Sequence, residues 1–239
     1  MYFLFPFMLI FSLPNILMAL AAVIPAIWLL VKVYRLDKIE KEPKGLIVRL
    51  IGMGMLATVG AILTETIGSA LINESTILGK FLMYFIVVAL SEEGFKFLFL
   101  KRATWRNPDY NYQFDGIVYA VSVSLGFALL ENLSYVFSYG FSVAVVRAVT
   151  AVPGHACFGV FMGVFYGIAK KYDNAGESGK SVLFRVLSLI VPMLLHGTYD
   201  YIATLEQTES GWYFLPFIMA LFVVSYILVG QTSKKDRRI

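Results

Sequence analysis

A succession of long apolar runs, separated by short polar gaps, constrains this chain more than any other feature. Seven candidate spans can be marked, at roughly 8–33, 46–72, 79–100, 114–138, 142–169, 182–204 and 211–230. Each is near or above the roughly 20 apolar residues that a helix needs to cross a bilayer. The expected fold is therefore all-α, a polytopic transmembrane bundle of about seven spans that forms one integral-membrane unit over residues 1–239. The composition agrees, since 59% of the residues are hydrophobic and only 15% charged. A soluble domain of this length carries far more charge. The gaps are too short for a soluble domain, and no internal repeat is visible. The opening stretch "MYFLFPFMLIFSLP" lacks the basic segment of a signal peptide and reads as the start of the first span.

The gaps alternate in charge. Arg35, Lys38, Lys41, Lys44 and Arg49 surround the first. Lys101, Arg102 and Arg106 lie in the third, and Lys170, Lys171 and Lys180 in the fifth. The tail "SKKDRRI" carries four more basic residues. The gaps around 73–80, 139–142 and 205–211 are nearly free of them. The positive-inside rule then puts the N-terminus outside and the C-terminus in the cytoplasm. The net charge of +4 is read as cytoplasmic loop bias, with the lipid bilayer and no nucleic acid as partner. The single cysteine, Cys157, allows no internal disulfide.

Ionisable groups deep in an apolar span are costly unless paired or hydrated. The third span holds Glu92, Glu93 and Lys96 in "EEGFK". The fourth holds Glu131 in "FALLE", and the fifth Arg147 and His155 in "RAVTAVPGH". The sixth holds His196 and Asp200 in "HGTYD", and the second Glu65. Glu92 and Lys96 are four residues apart and can neutralise each other on one helix face, which leaves Glu93 spare. His196 and Asp200 share that spacing, so Asp200 can fix the orientation of the His196 ring. Phe127 and Glu131 share it on the fourth span. Pro153 and Gly154, just before His155, are expected to kink the fifth span beside a cavity. The glycines at 159, 163 and 167 predict close helix packing. At about 1.5 Å per residue Glu92 lies roughly 18 Å in, near the bilayer middle. His155 lies at similar depth, with Glu131, His196 and Asp200 toward the outer half.

Carboxylates together with imidazoles suit amide hydrolysis, in which a glutamate activates water as a general base. Glu131, His155 and His196 can also supply three ligands to one zinc ion, leaving a position open for water. Without a metal, the same histidines can orient water and stabilise an oxyanion. A proton-coupled transporter uses similar groups as a relay, and a non-catalytic seven-span binding protein is a further reading.

Four of these elements, in this order, resemble the PrsW family of bacterial membrane proteases, relatives of the CAAX-protease and bacteriocin-processing superfamily. They are EExxK (Glu92, Glu93, Lys96), FxxxE (Phe127, Glu131), the segment from Arg147 to His155, and HxxxD (His196, Asp200). The stretch "DKIEKEP", with Glu42 and Pro43, also resembles that family's acidic-proline segment. The resemblance covers about residues 30–205. It implies a multi-pass protease of the bacterial cytoplasmic membrane that makes the first, extracytoplasmic cut in a single-span anti-sigma factor. A second cut then releases a sigma factor, a form of regulated proteolysis used in stress responses. It carries catalytic candidacy onto Glu92, Glu93, Glu131, His155, His196 and Asp200, with Lys96, Phe127 and Arg147 in support. It leaves open whether a metal is used.

Overall fold

The computed structural model describes residues 13–205 and 207–239. Residues 8–12, the beginning of the first expected span, lie outside the described residues. The helices are α1 (Leu13–Leu36), α2 (Lys44–Leu71), α3 (Ile77–Phe81), α4 (Leu90–Thr104), α5 (Asp115–Tyr139), α6 (Phe141–Val149), α7 (Ala151–Asn174), α8 (Ser178–Ala203) and α9 (Gln207–Lys234). A π-helical segment, Leu82–Ala89, joins α3 to α4. Among the described residues there is no strand, only an isolated bridge between Tyr112 and Arg238.

Among the described residues, six helical stretches are long and apolar enough to cross a membrane, covering 15–36, 44–71, 115–139, 141–174 (α6 and α7 together), 178–203 and 212–234. The expected span at 79–100 is helical without a break from 77 to 104, about 40 Å at the usual rise. It differs from the others in carrying three buried charges and in passing through the π-helical segment. Such segments shift the angular register of a helix and recur at functional sites. Here the segment lies immediately before the helix that carries Glu92 and Glu93.

α5 is the hub of the bundle. Its most apolar window is 83% buried, against 17% for the corresponding window of α1. Large apolar side chains on the outer helices are instead exposed, Trp28, Leu63, Ile67 and Leu183 among them. A face like that is costly in water and suits lipid contact. The glycine stripe of α7 packs against α5 as the spacing predicts. A Cβ at Gly163 would come within 2.5 Å of the Gly116 carbonyl oxygen, so only glycine permits this approach.

The fifth expected span is divided. Gly140, at φ 88°, reverses the chain after α5 in a conformation that favours glycine. α6 then runs for nine residues, and the chain breaks at Thr150 (φ −119°, ψ −72°) before α7 begins. The break falls three residues before Pro153, the expected kink. Proline tolerates the first turn of a helix because its missing N–H needs no intrahelical partner there. α7 therefore starts just ahead of Pro153 instead of bending at it.

Candidate active site

Six helices, α2 and α4 to α8, bring the ionisable residues together. α4 supplies Glu92, Glu93 and Lys96, which are 4%, 0% and 0% exposed. Their spacing of three and four residues puts both carboxylates within reach of one ammonium. Lys96 Nζ donates to Glu92 Oε2 at 3.1 Å and to Glu93 Oε1 at 2.7 Å. It also lies 3.2 Å from His155 Nδ1 on α7 and 3.9 Å from the centroid of the Phe127 ring on α5. Phe127 thus forms the aromatic floor under a buried cation, a contact strengthened by desolvation.

The two imidazoles are held on both sides. His155 Nε2 is 2.8 Å from Glu131 Oε2. If Lys96 donates to Nδ1, the His155 proton sits on Nε2 and points to Glu131. Arg147 on α6 donates to Glu131 Oε2 at 2.5 Å and to Asn132 Oδ1 at 2.9 Å, and its guanidinium stacks 3.9 Å from the Tyr135 ring centroid. His196 Nδ1 on α8 is 3.0 Å from Glu93 Oε1. Its Nε2 is 3.3 Å from Asp200 Oδ2, a close approach that lacks hydrogen-bond alignment. The imidazole centroids are 5.4 Å apart and nearly perpendicular. Phe158 stacks on His196 at 4.7 Å.

A cavity of about 510 Å³ reaches this cluster. Glu92, Glu131, His155, His196, Asp200 and Glu65 all line it, as does Arg147. Its lining extends to Ser138 and Tyr139 at the end of α5 and to Tyr84 near the start of the π-helical segment. Glu93 and Lys96 do not line it and sit behind Glu92. The adjacent carboxylates are therefore inequivalent, one facing the cavity and the other buried against Lys96 and His196.

The donor set suits a metal ion. One ligand atom from each of Glu92, Glu93, His155 and His196 lies within 4.8 Å of the others. Mixed imidazole and carboxylate donors match zinc and similar ions. Glu93 Oε2 is buried with no hydrogen-bond partner, a free ligand atom. The Lys96 ammonium, held by three of these four residues, marks the place where positive charge is stabilised. Glu131, expected as a ligand beside the histidines, is not one of the four; it reaches His155 from the far side and is tied to Arg147.

Every candidate drawn from the sequence is thus in or directly against one site, Glu65 included. Asn132, which holds Arg147, and Phe158, which supports His196, are not marked by the sequence pattern alone. Asn132 is a polar residue next to Glu131 in an apolar span, so a signal is present; Phe158 offers none. Cys157 packs with Phe158 and Leu221 in an apolar cluster and does not line the cavity.

Comparison with known proteins gives consistent results. Residues 42–229 match the family described as PrsW family intramembrane metalloprotease. The chain is 35% identical to Protease PrsW of Oceanobacillus iheyensis over 215 residues, 90% of this chain and 95% of that one. It is 36% identical to Protease PrsW of Bacillus subtilis over 204 residues, covering 84% and 89%. For Protease PrsW of Clostridioides difficile the figure is 29% over 159 residues, covering 65% and 66%. No solved structure matches the chain.

Proposed function

Because the chain belongs to the PrsW family of intramembrane metalloproteases, and is a peptide hydrolase of the membrane, we propose that it cuts a single-span membrane protein at the buried site, as one protease unit over residues 1–239. The observation that carries this reading is the cavity of about 510 Å³ whose wall combines Glu92 with both histidines. A carrier or a purely binding protein has no comparable support.

In this reading Glu92, the cavity-facing carboxylate, takes the proton from the attacking water and returns it to the leaving amine. Glu93, His155 and His196 hold a metal ion, with zinc the best match to these donors. When bound, the ion supplies Lewis-acid polarisation of the scissile carbonyl and lowers the pKa of water. Glu131 and Asp200 orient His155 and His196 through the ring nitrogens they face. Lys96 fixes both glutamates, and Arg147 fixes Glu131.

The substrate proposed is an anti-sigma factor, cut on its extracytoplasmic side. Two observations support that side. The cavity lining runs toward the bundle end that bears the 72–76 and 139–141 connections, and those connections lack basic residues. The N-terminus then lies outside and the C-terminus in the cytoplasm. Mass spectrometry of the product ends, from a co-reconstituted single-span substrate, tests this. A cut in the extracytoplasmic juxtamembrane part is expected, and a cytoplasmic cut would overturn the topology.

A further inference from the structure

At the bundle end opposite the cavity mouth, three carboxylates are buried together. Asp37 follows α1, Glu42 lies in the α1–α2 connection, and Asp115 opens α5. They are 1%, 3% and 0% exposed. One oxygen of each lies within 4.8 Å of the others. Buried carboxylates are ordinarily paired with a cation or bound to a metal. Among the described residues, no lysine or arginine forms an ion pair with any of these three. Of the two lysines between Asp37 and Glu42, Lys41 is turned instead onto the backbone carbonyls of Tyr34, Arg35 and Asp37.

The hydrogen bonds present leave definite atoms free. Asp115 Oδ2 accepts from the backbone N–H groups of Asn111 (3.0 Å) and Tyr112 (2.7 Å), while Asp115 Oδ1 has no partner. Glu42 accepts from the Tyr119 hydroxyl. Neither oxygen of Asp37 has a hydrogen bond of good geometry, although the Glu42 backbone N–H lies near. Outside the acidic set, the Tyr110 hydroxyl is unpartnered and 3% exposed. It is close enough to Asp115 and Glu42 for their charges to act on it. Asp236, from the C-terminal tail, adds a further negative charge acting on Asp37. Burial pushes Asp37 up to about 6 and Glu42 to about 7; the Lys41 charge, held on the neighbouring backbone carbonyls, offsets the rise at Asp37 only in part.

We propose that Asp37, Glu42 and Asp115 form a binding site for a hard divalent cation of the Mg²⁺, Ca²⁺ or Mn²⁺ class. The donors are all oxygens, with no imidazole or thiol, which favours such ions over zinc or copper. The Asp37 carboxylate and Asp115 Oδ1 have no hydrogen bond of good geometry and are the lone pairs offered to the ion. A cation here ties the end of α1 and the α1–α2 connection to the first turn of α5. That helix carries Phe127 and Glu131 to the other site. The competing account is a proton shared between Glu42 and Asp115, which lie close enough for one to bridge them; it gives no dependence on cations. The proposal is independent of the proteolytic mechanism.

The test titrates chelator-stripped full-length protein in detergent with Tb³⁺, whose emission nearby tyrosines such as Tyr110 and Tyr119 sensitise. Mg²⁺, Ca²⁺ and Mn²⁺ serve as competitors, and the unfolding temperature is followed in parallel. The expected result is saturable emission, displaced by at least one divalent ion that also raises the unfolding temperature. Asp37→Asn and Glu42→Gln should weaken binding by about tenfold or more, whereas His155→Ala should leave it intact. The wild-type titration is decisive even where a variant is unstable. Absence of saturable emission, absence of displacement, or unchanged binding in Asp37→Asn overturns the proposal. So does emission lost in His155→Ala, which would assign the ion to the interior cluster.

Discussion

The bundle buries two groups of carboxylates, and they differ in how their charge is met. Around Glu92, Glu93 and Glu131 the protein supplies its own cations, Lys96 and Arg147, and two imidazoles. Around Asp37, Glu42 and Asp115 it supplies hydroxyls and backbone N–H groups but, among the described residues, no ion pair; Lys41 acts on Asp37 only from the backbone carbonyls it binds. The first arrangement is neutralised from within, holds two ligand types and opens to a cavity. It has what proton transfer and metal binding require. The second has donors of one hardness and is enclosed, which suits a structural ion. Burial of acids alone therefore does not identify a catalytic site; the neighbouring bases and the access do.

The largest effect that would break this contrast is at the histidines. His155→Ala and His196→Ala should each abolish cleavage of a single-span substrate, and elemental analysis should show loss of about one metal ion per chain. Retention of both metal and activity would remove the interior cluster from the chemistry. Next comes Lys96→Met, which leaves two buried carboxylates without their cation and should cost roughly 3–5 kcal/mol, read by thermal unfolding. In the second cluster the sign should reverse. With chelator present, Asp37→Asn removes a buried charge that no ion pair neutralises and should raise the unfolding temperature. A fall instead would mean that a protein group already neutralises Asp37.

Smaller effects sharpen the picture. Asp200→Asn should reduce turnover by about 10- to 100-fold, less than His196→Ala, because Asp200 acts through the imidazole. Complete loss in a well-folded Asp200→Asn protein would make it a direct participant. Phe127→Leu keeps the volume apolar but removes the ring beneath Lys96, and should cost about 0.5–2 kcal/mol. Measured stability equal to wild type would deny the cation–π contact.

Much of this is legible in the sequence because it depends on local spacing. The four-residue separations of Glu92 and Lys96, and of His196 and Asp200, place each pair on one helix face; Glu93, spare in that reading, in fact shares the same ammonium. Apolar run length suffices for the membrane helices. What is not legible depends on how helices are rotated and paired. No spacing rule sends Glu131 to the far side of His155, or makes Glu92 face the cavity while Glu93 faces Lys96. The π-helical segment, which alters that rotation, has no apolar pattern to reveal it. The break at Thr150 is displaced from Pro153 because proline is accepted in a first turn. The second acidic cluster joins residues 37, 42 and 115 across separate helices, and of these only Glu42 stands out in the sequence.

The central claim is that Glu92 is the base at the end of the cavity, and one measurement addresses it most directly. Glu92→Gln protein, reconstituted with a single-span substrate, is compared with wild type for cleavage rate, metal content and unfolding temperature. The account predicts a rate lower by about 10²- to 10⁴-fold, with the fold and bound metal retained. A Glu92→Gln protein that cleaves within a few-fold of wild type would contradict it.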